Sequence, residues 1–224
     1  MDSDQARSGS RTSTARAEAF SDAVLAIIIT LLVLDLRPPH SQPGQLLSGL
    51  LQQWPTYLAY AASYLYVAVV WLNHKAAFVR IRMMDRGLHW ANLGTLATAA
   101  LLPFPTAVVA DALENGNRTD ARVAVALYAL VGALLSASWW VFFHYLARHP
   151  ELIEQHVDDA FFGRERRRAE AGMLLYVVGG VLGALVVPPI GLAVFIILPI
   201  YYGLTSHGLA EAPQVVRRIT PGRS

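Results

Sequence analysis

Cysteine is missing from all 224 residues. Its absence excludes disulfides, thiolate metal sites and cysteine nucleophiles together. Charge is scarce as well: Asp, Glu, Lys and Arg make up 15% of the chain, against about 25% in a typical soluble domain. No HExxH or comparable spacing links the histidines, so a zinc-hydrolase site has no ligands here. No TVGYG segment occurs, which removes the carbonyl-cage route to potassium selectivity. Lysine occurs once, at Lys75, and arginine supplies the rest of the basic residues. Nothing in these patterns calls for a cofactor or a resident metal.

What the chain has instead is apolar length. Hydrophobic residues make up 54% of it, and they fall in long runs free of Asp, Glu, Lys and Arg: 38–74, 88–110, 123–147 and 171–210. A membrane-crossing helix needs roughly 20 mostly apolar residues. The runs therefore predict an all-α, polytopic membrane protein with spans at 17–36, 54–76, 88–110, 123–146, 171–187 and 189–208. The last run is too long for one crossing, and Pro188 and Pro189 interrupt it at a suitable midpoint. Residues 46–53 extend the second helix or lie along the interface.

The basic residues test this count. Arg7, Arg11 and Arg16 precede the first span, and Lys75, Arg80, Arg82 and Arg86 follow the second. Arg148, Arg164, Arg166, Arg167 and Arg168 follow the fourth, and Arg217, Arg218 and Arg223 end the chain. Only Arg37, Arg118 and Arg122 fall on the other side. Lys and Arg mark cytoplasmic loops, so both termini are expected in the cytoplasm, with six spans between them. The same loops meet anionic lipid headgroups, and nucleic acid is not an expected partner. The expected organisation is a disordered tail over 1–15, a six-helix domain over 16–210 and a C-terminal tail over 211–224. A cleaved leader is not expected, because LDLRPPH rather than a small-residue site follows the first run. The connection 150–168 reads as a charged, partly helical loop with Asp158 and Asp159 solvated.

The first span, FSDAVLAIIITLLVLDL, carries a carboxylate, Asp22, near its start. At 100° per residue Phe20, Val24, Ile27, Leu31 and Leu34 share one aliphatic stripe, and Asp22 lies almost opposite. A charge in a spanning segment costs roughly 2.5–3.5 kcal/mol at the bilayer centre and less near an end. Asp22 therefore calls for a partner on another helix, and Trp71, Asn73, His74, His89 and Asn92 are the candidates; Arg16 points elsewhere on the same helix. Pinning helices together and direct ion contact are both open roles for it. The stripe itself suits lipid, helix packing or a pore, and periodicity does not choose among them. Elsewhere, Pro103 and Pro105 in LLPFPT kink or end the third span, as a structural break or a hinge. Gly179, Gly180 and Gly183 suit close helix packing, and His144 reads as interfacial or packed.

Arg16-x-x-x-Phe20-Ser21-Asp22 followed by AVLAIIITLLVLDL resembles the first-helix signature of the transmembrane protein 175 potassium-channel family. Trp71-Leu72-Asn73-His74 is similar to its second-helix motif, and Asn92-Leu93 with Leu102-Pro103-Phe104 to its third. The resemblance covers the whole chain in the right order. It implies a homotetramer of six-helix subunits in the plasma membrane of a prokaryote, with the first helix lining a central pore. It implies rings of aliphatic side chains at Ile27, Leu31 and Leu34 as the constriction, with the Thr30 hydroxyl beside the ion path. It implies a structural network of Arg16, Phe20, Ser21, Asp22, Trp71, Asn73, His74 and Asn92. The permeant ion would be potassium, with other monovalent cations, held only in transit. Ala26 stands where animal members carry a hydroxyl, and Lys75 where a second His is frequent; the first departure implies modest preference for potassium over sodium.

Two other functions suit a polytopic chain less well. A secondary transporter or proton-coupled carrier tends to show duplicated, interrupted helices, and the Phe-Ser-Asp motif occurs once. A membrane hydrolase needs a nucleophile with a base or metal; Ser21 with His74 is conceivable but lacks an oxyanion motif.

Overall fold

A computed structural model describes residues 14–155, 157 and 160–204. The expected tails lie outside the described residues apart from Thr14 and Ala15, which are helical rather than disordered. Asp158, Asp159 and the end of the expected sixth span also lie outside them.

Every element among the described residues is helical. α1, Thr14–Leu31, holds neither Gly nor Pro and tightens into a 3₁₀ turn over Leu32–Asp35; Pro38 and Pro39 follow, and the chain leaves the helix before them. α2, Leu46–Gln52, is a separate short helix with no buried residue. Gln53 alone separates it from the second span. α3, Trp54–Phe78, carries Pro55 in its first turn, where a missing N–H costs nothing.

The third expected span is two helices. α4, Arg86–Ala100, starts at Asp85, whose side chain accepts from Leu88 N at 2.8 Å. α5, Pro103–Glu114, follows a two-residue break at Leu101 and Leu102. α6, Arg118–Arg148, is capped by Asn117, which accepts from Thr119 N at 2.8 Å, and ends on Arg148, whose charge suits the helix C-terminus. α7, Ala160–Leu185, takes Arg164 to Arg168 into its first turns, so most of that basic run is helix rather than loop. α8, Pro188–Leu204, begins at the proline pair.

Among the described residues five helical segments are long and apolar enough to cross a membrane: Thr14–Asp35, Trp54–Phe78, Arg86–Glu114, Arg118–Arg148 and Ala160–Leu185. Within α8, Ala193–Gly203 forms a shorter apolar helix. α6 is the central post: α4, α5, α7 and α8 all pack on it, and α7 makes the most extensive contact. Glycine permits that contact. A Cβ on Gly180 would stand 2.3 Å from Ala129 Cβ, and one on Gly132 2.6 Å from the Tyr176 ring. Aromatic side chains fill the centre, with Tyr66 stacked on Tyr176 at 5.8 Å and Tyr128 on Phe195 at 4.3 Å. Large aliphatics such as Leu174, Val181 and Leu185 point outward from α7. Water-soluble monomers rarely show apolar surface on this scale; lipid covers it at no cost.

The basic-loop end is strapped by backbone hydrogen bonds. Arg82 N donates to Leu152 O at 2.8 Å, Glu154 N donates to Arg80 O at 3.0 Å, and Ile81 and Ile153 form an antiparallel bridge. Tyr145 OH donates to Asp85 Oδ2 at 2.6 Å over Gly87, tying the end of α6 to the start of α4. Near that end His144 stacks on Trp140 at 4.6 Å.

Candidate functional site

α1 has two unlike sides. Ala17, Ser21, Leu25, Ile28 and Leu32, at steps of four, four, three and four, form its buried face. This is the spacing of one helical stripe, and it meets α3 and α4. Across the helix, Phe20, Ile27, Leu31 and Leu34 stand 53%, 57%, 44% and 65% exposed, with Val24 half-buried. The bundle around α1 thus leaves a row of large aliphatic side chains uncovered. Thr30 is also exposed, and its hydroxyl donates to Ile27 O at 2.8 Å. This intrahelical bond leaves its oxygen lone pairs outward.

Polar groups anchor the other side. Ser21 Oγ donates to Ala17 O at 2.8 Å, so toward its neighbour it can only accept. Asn92 Nδ2 donates to it at 2.9 Å. The amide oxygen of Asn92 then faces His74 Nε2 at 3.0 Å, and since that oxygen can only accept, Nε2 carries the ring proton. The result is a one-directional relay, His74 to Asn92 to Ser21 to the α1 backbone, crossing α3, α4 and α1. All three side chains are buried. His74 stacks on Phe78 at 4.2 Å and meets the edge of Trp139. Its bare Nδ1 is buried and has no hydrogen-bond partner among the described residues.

Asp22 sits outside this relay. Its Oδ1 accepts from Trp71 Nε1 at 2.9 Å, closer to the surface, and Lys75 Nζ stands 5.5 Å from the centre of the same indole. The Asp22 carboxylate therefore has an oriented donor, and the ring of that donor also meets a cation.

Of the residues expected to cluster, Ser21, Asp22, Trp71, His74 and Asn92 stand together. Arg16 and Phe20 are exposed and make no hydrogen bond to them. Asn73 turns to another side of α3, where it lines a cavity of about 50 Å³ with Tyr66, Ser136, Glu165, Arg168 and Tyr202. The helical step of 100° per residue explains the split: His74 and Asn73 cannot share a face.

Other polar contacts join residues that no sequence motif links. Ser63, Thr106 and Tyr128 meet in the interior, and Asp85 holds Tyr145. An Asp before a helix is an N-cap signal that would have located Asp85; the hydroxyl trio carries no local pattern. At the end of the bundle away from the basic loops, an open cleft of about 510 Å³ lies between the end of α1, α3 and α5. Asp35, Arg37, His40, Asp111 and Glu114 line it, and Thr56 donates to Glu114 there. Its charges are mixed, and among the described residues no group of three His, Asp or Glu is placed to hold a metal ion.

The family model of the endosomal/lysosomal potassium channel TMEM175 matches residues 16–103, from Arg16 in α1 through the relay to Pro103, the first residue after the α4 break. A potassium channel of Streptomyces collinus is 38% identical over 189 residues, which covers 84% of this chain and 90% of the relative. A potassium channel of Chamaesiphon minutus is 32% identical over 200 residues, covering 88% and 97%. The crystal structure of a lysosomal potassium-selective channel TMEM175 homolog from Chamaesiphon minutus superposes with a TM-score of 0.75 at 30% identity, over 87% of this chain and 98% of that one.

Proposed function

This chain belongs to the family of the endosomal/lysosomal potassium channel TMEM175, whose members are channels and not enzymes, and on that premise we propose that it conducts potassium through a pore built from α1. Four copies would bring their first helices to a common axis in a prokaryotic plasma membrane, with both termini in the cytoplasm and α8 completing the sixth span.

The observation that carries this reading is the division of α1. One face is fixed by hydrogen bonds to α3 and α4, and the opposite face presents Ile27, Leu31 and Leu34 with nothing over them. A helix clamped from behind keeps its front turned to one side. Rings of Ile and Leu narrow the path until water leaves it, and a small rotation or widening lets water and ions return; hydrophobic constrictions gate by such dewetting. The carbonyl ends of α1 face the outer mouth with partial negative charge, which favours cations over anions. Such a path discriminates by dehydration rather than by a fitted cage, so preference for potassium over sodium is modest. Other monovalent cations share the route. The Thr30 oxygen borders it.

Reconstitution into liposomes tests this. The proposal predicts unitary current steps in planar bilayers, with potassium current larger than sodium current by a modest factor. Slow, saturating flux without unitary steps would instead support a carrier, and firm rejection of sodium would contradict the dehydration mechanism.

A further inference from the structure

We propose that the break between α4 and α5 is a hinge, closed in this conformation by a hydroxyl latch of Ser63, Thr106 and Tyr128, and that opening the latch moves α5 at the outer mouth. This rests on the channel reading above and adds a moving part to it.

The break lies inside a membrane span, Arg86–Glu114. Pro103 and Pro105 have no N–H, so the carbonyls of Ala99 and Leu101 lose their usual donors four residues on. The chain closes the gap with tighter turns: Leu102 N donates to Ala99 O at 3.0 Å and Phe104 N to Leu101 O at 3.2 Å. The two half-helices are therefore joined without a continuous α-helical ladder across Leu101 and Leu102. The regular ladder resumes in α5 with Thr106 N donating to Leu102 O at 3.2 Å, so bending concentrates at the tightened turn before it.

The latch has a fixed direction. Thr106 Oγ1 donates to Leu102 O at 2.7 Å, so its proton is spent on the broken turn itself. Ser63 on α3 must then donate to Thr106 across 2.7 Å. Tyr128 on α6 must in turn donate to Ser63 across 3.2 Å. Two helices, α3 and α6, are thus tied to the first turn of α5 through buried hydroxyls. The surroundings are apolar, so an open latch strands at least one donor unless the groups find new partners. That gives two discrete arrangements rather than a continuous slide.

Room for movement lies directly beside the latch. A cavity of about 90 Å³ is bounded by Leu58 and Ser63 of α3, Val109 and Leu113 of α5, Tyr128 of α6 and Phe195 of α8. It is lined almost wholly by carbon, so α5 can close into it without displacing bound polar groups. The far end of α5 carries Asp111 and Glu114, which form the wall of the outer cleft opposite Asp35 at the end of α1. A swing about Leu102 changes that cleft where the proposed pore opens.

The cysteine-free chain permits a direct test. Ser63→Cys with Thr106→Cys, oxidised in membranes and checked by mass spectrometry, welds α3 to α5. The expected result is loss of potassium flux in the oxidised protein and recovery on reduction, with each single variant unaffected by oxidant. Ala59→Leu, which fills the cavity without touching the latch, is expected to lower flux in the same direction. Equal flux from the oxidised and reduced forms overturns the hinge, and so does failure of the two cysteines to join in membranes, since the latch would not then be closed there. Absence of flux from the unmodified chain defeats the channel reading instead, which keeps the two failures apart.

Discussion

Asn92 donates its side-chain amide to Ser21 Oγ at 2.9 Å, and this single contact aligns α4 with the buried face of α1. It also fixes everything behind it. The amide has one donor end and one acceptor end, so satisfying Ser21 turns the oxygen toward His74, and the histidine must answer with Nε2–H. Asn92→Leu removes both ends and leaves a buried imidazole N–H without an acceptor. A stranded buried donor costs about 1–3 kcal/mol, while interhelical hydrogen bonds in membranes average about 0.6 kcal/mol. The variant is expected to unfold in detergent with a loss between these figures, measured by thermal size-exclusion assay. A melting temperature equal to the parent's would show that the relay does not hold α1.

Asp22 and Trp71 separate stability from ion choice. Trp71→Phe keeps the ring and deletes only the N–H that meets Asp22. A hydrogen bond to a charged group contributes about 1.5–3 kcal/mol when buried, and this one is closer to the surface, so the lower end applies. Asp22→Ala is expected to damage folding or assembly further. Both variants should keep the parent's potassium-to-sodium permeability ratio in whatever protein assembles. Well-behaved assemblies with an altered ratio would place Asp22 in the ion path.

Ile27→Asn puts an amide where the exposed stripe is most exposed after Leu34. If Ile27 sits at a dewetted constriction, water enters and resting conductance rises while discrimination among cations falls. Single-channel recording reads both. Unchanged currents would move the constriction elsewhere along α1.

Gly180→Ala tests the packing of α7 on α6. The new Cβ would stand 2.3 Å from Ala129 Cβ, closer than carbon atoms allow. Neither atom is the end of a flexible side chain, so the helices must separate. Overpacking costs about 1–3 kcal/mol, and Gly180→Ala with Ala129→Gly should recover much of it. Failure of the double variant to recover would mean that the contact is looser than it stands here.

The sequence made the membrane class legible because lipid imposes a blunt rule: long apolar runs between charged loops. It made the α1 faces legible because 100° per residue separates Asp22 from Ile27 wherever the helix sits. Asn73 shows where this fails. A motif of four adjacent residues spans all sides of α3, so WLNH could not all belong to one network, and Asn73 faces the α6–α8 side. The hydroxyl latch was invisible for a different reason: Ser63, Thr106 and Tyr128 come from three helices, and no local spacing records that they meet. The α4–α5 break was half legible, since the prolines were plain, while the 3₁₀ bonds that close it depend on the fold.

Silver block of substituted cysteines tests the central claim most directly, because the chain has no cysteine of its own. Ile27→Cys, Leu31→Cys and Leu34→Cys are compared with Val181→Cys, an equally exposed position on the outer face of α7. The account predicts that silver ions stop potassium current through the three α1 variants and leave the Val181→Cys current unchanged. Current that persists through all three α1 variants would contradict a pore lined by this helix.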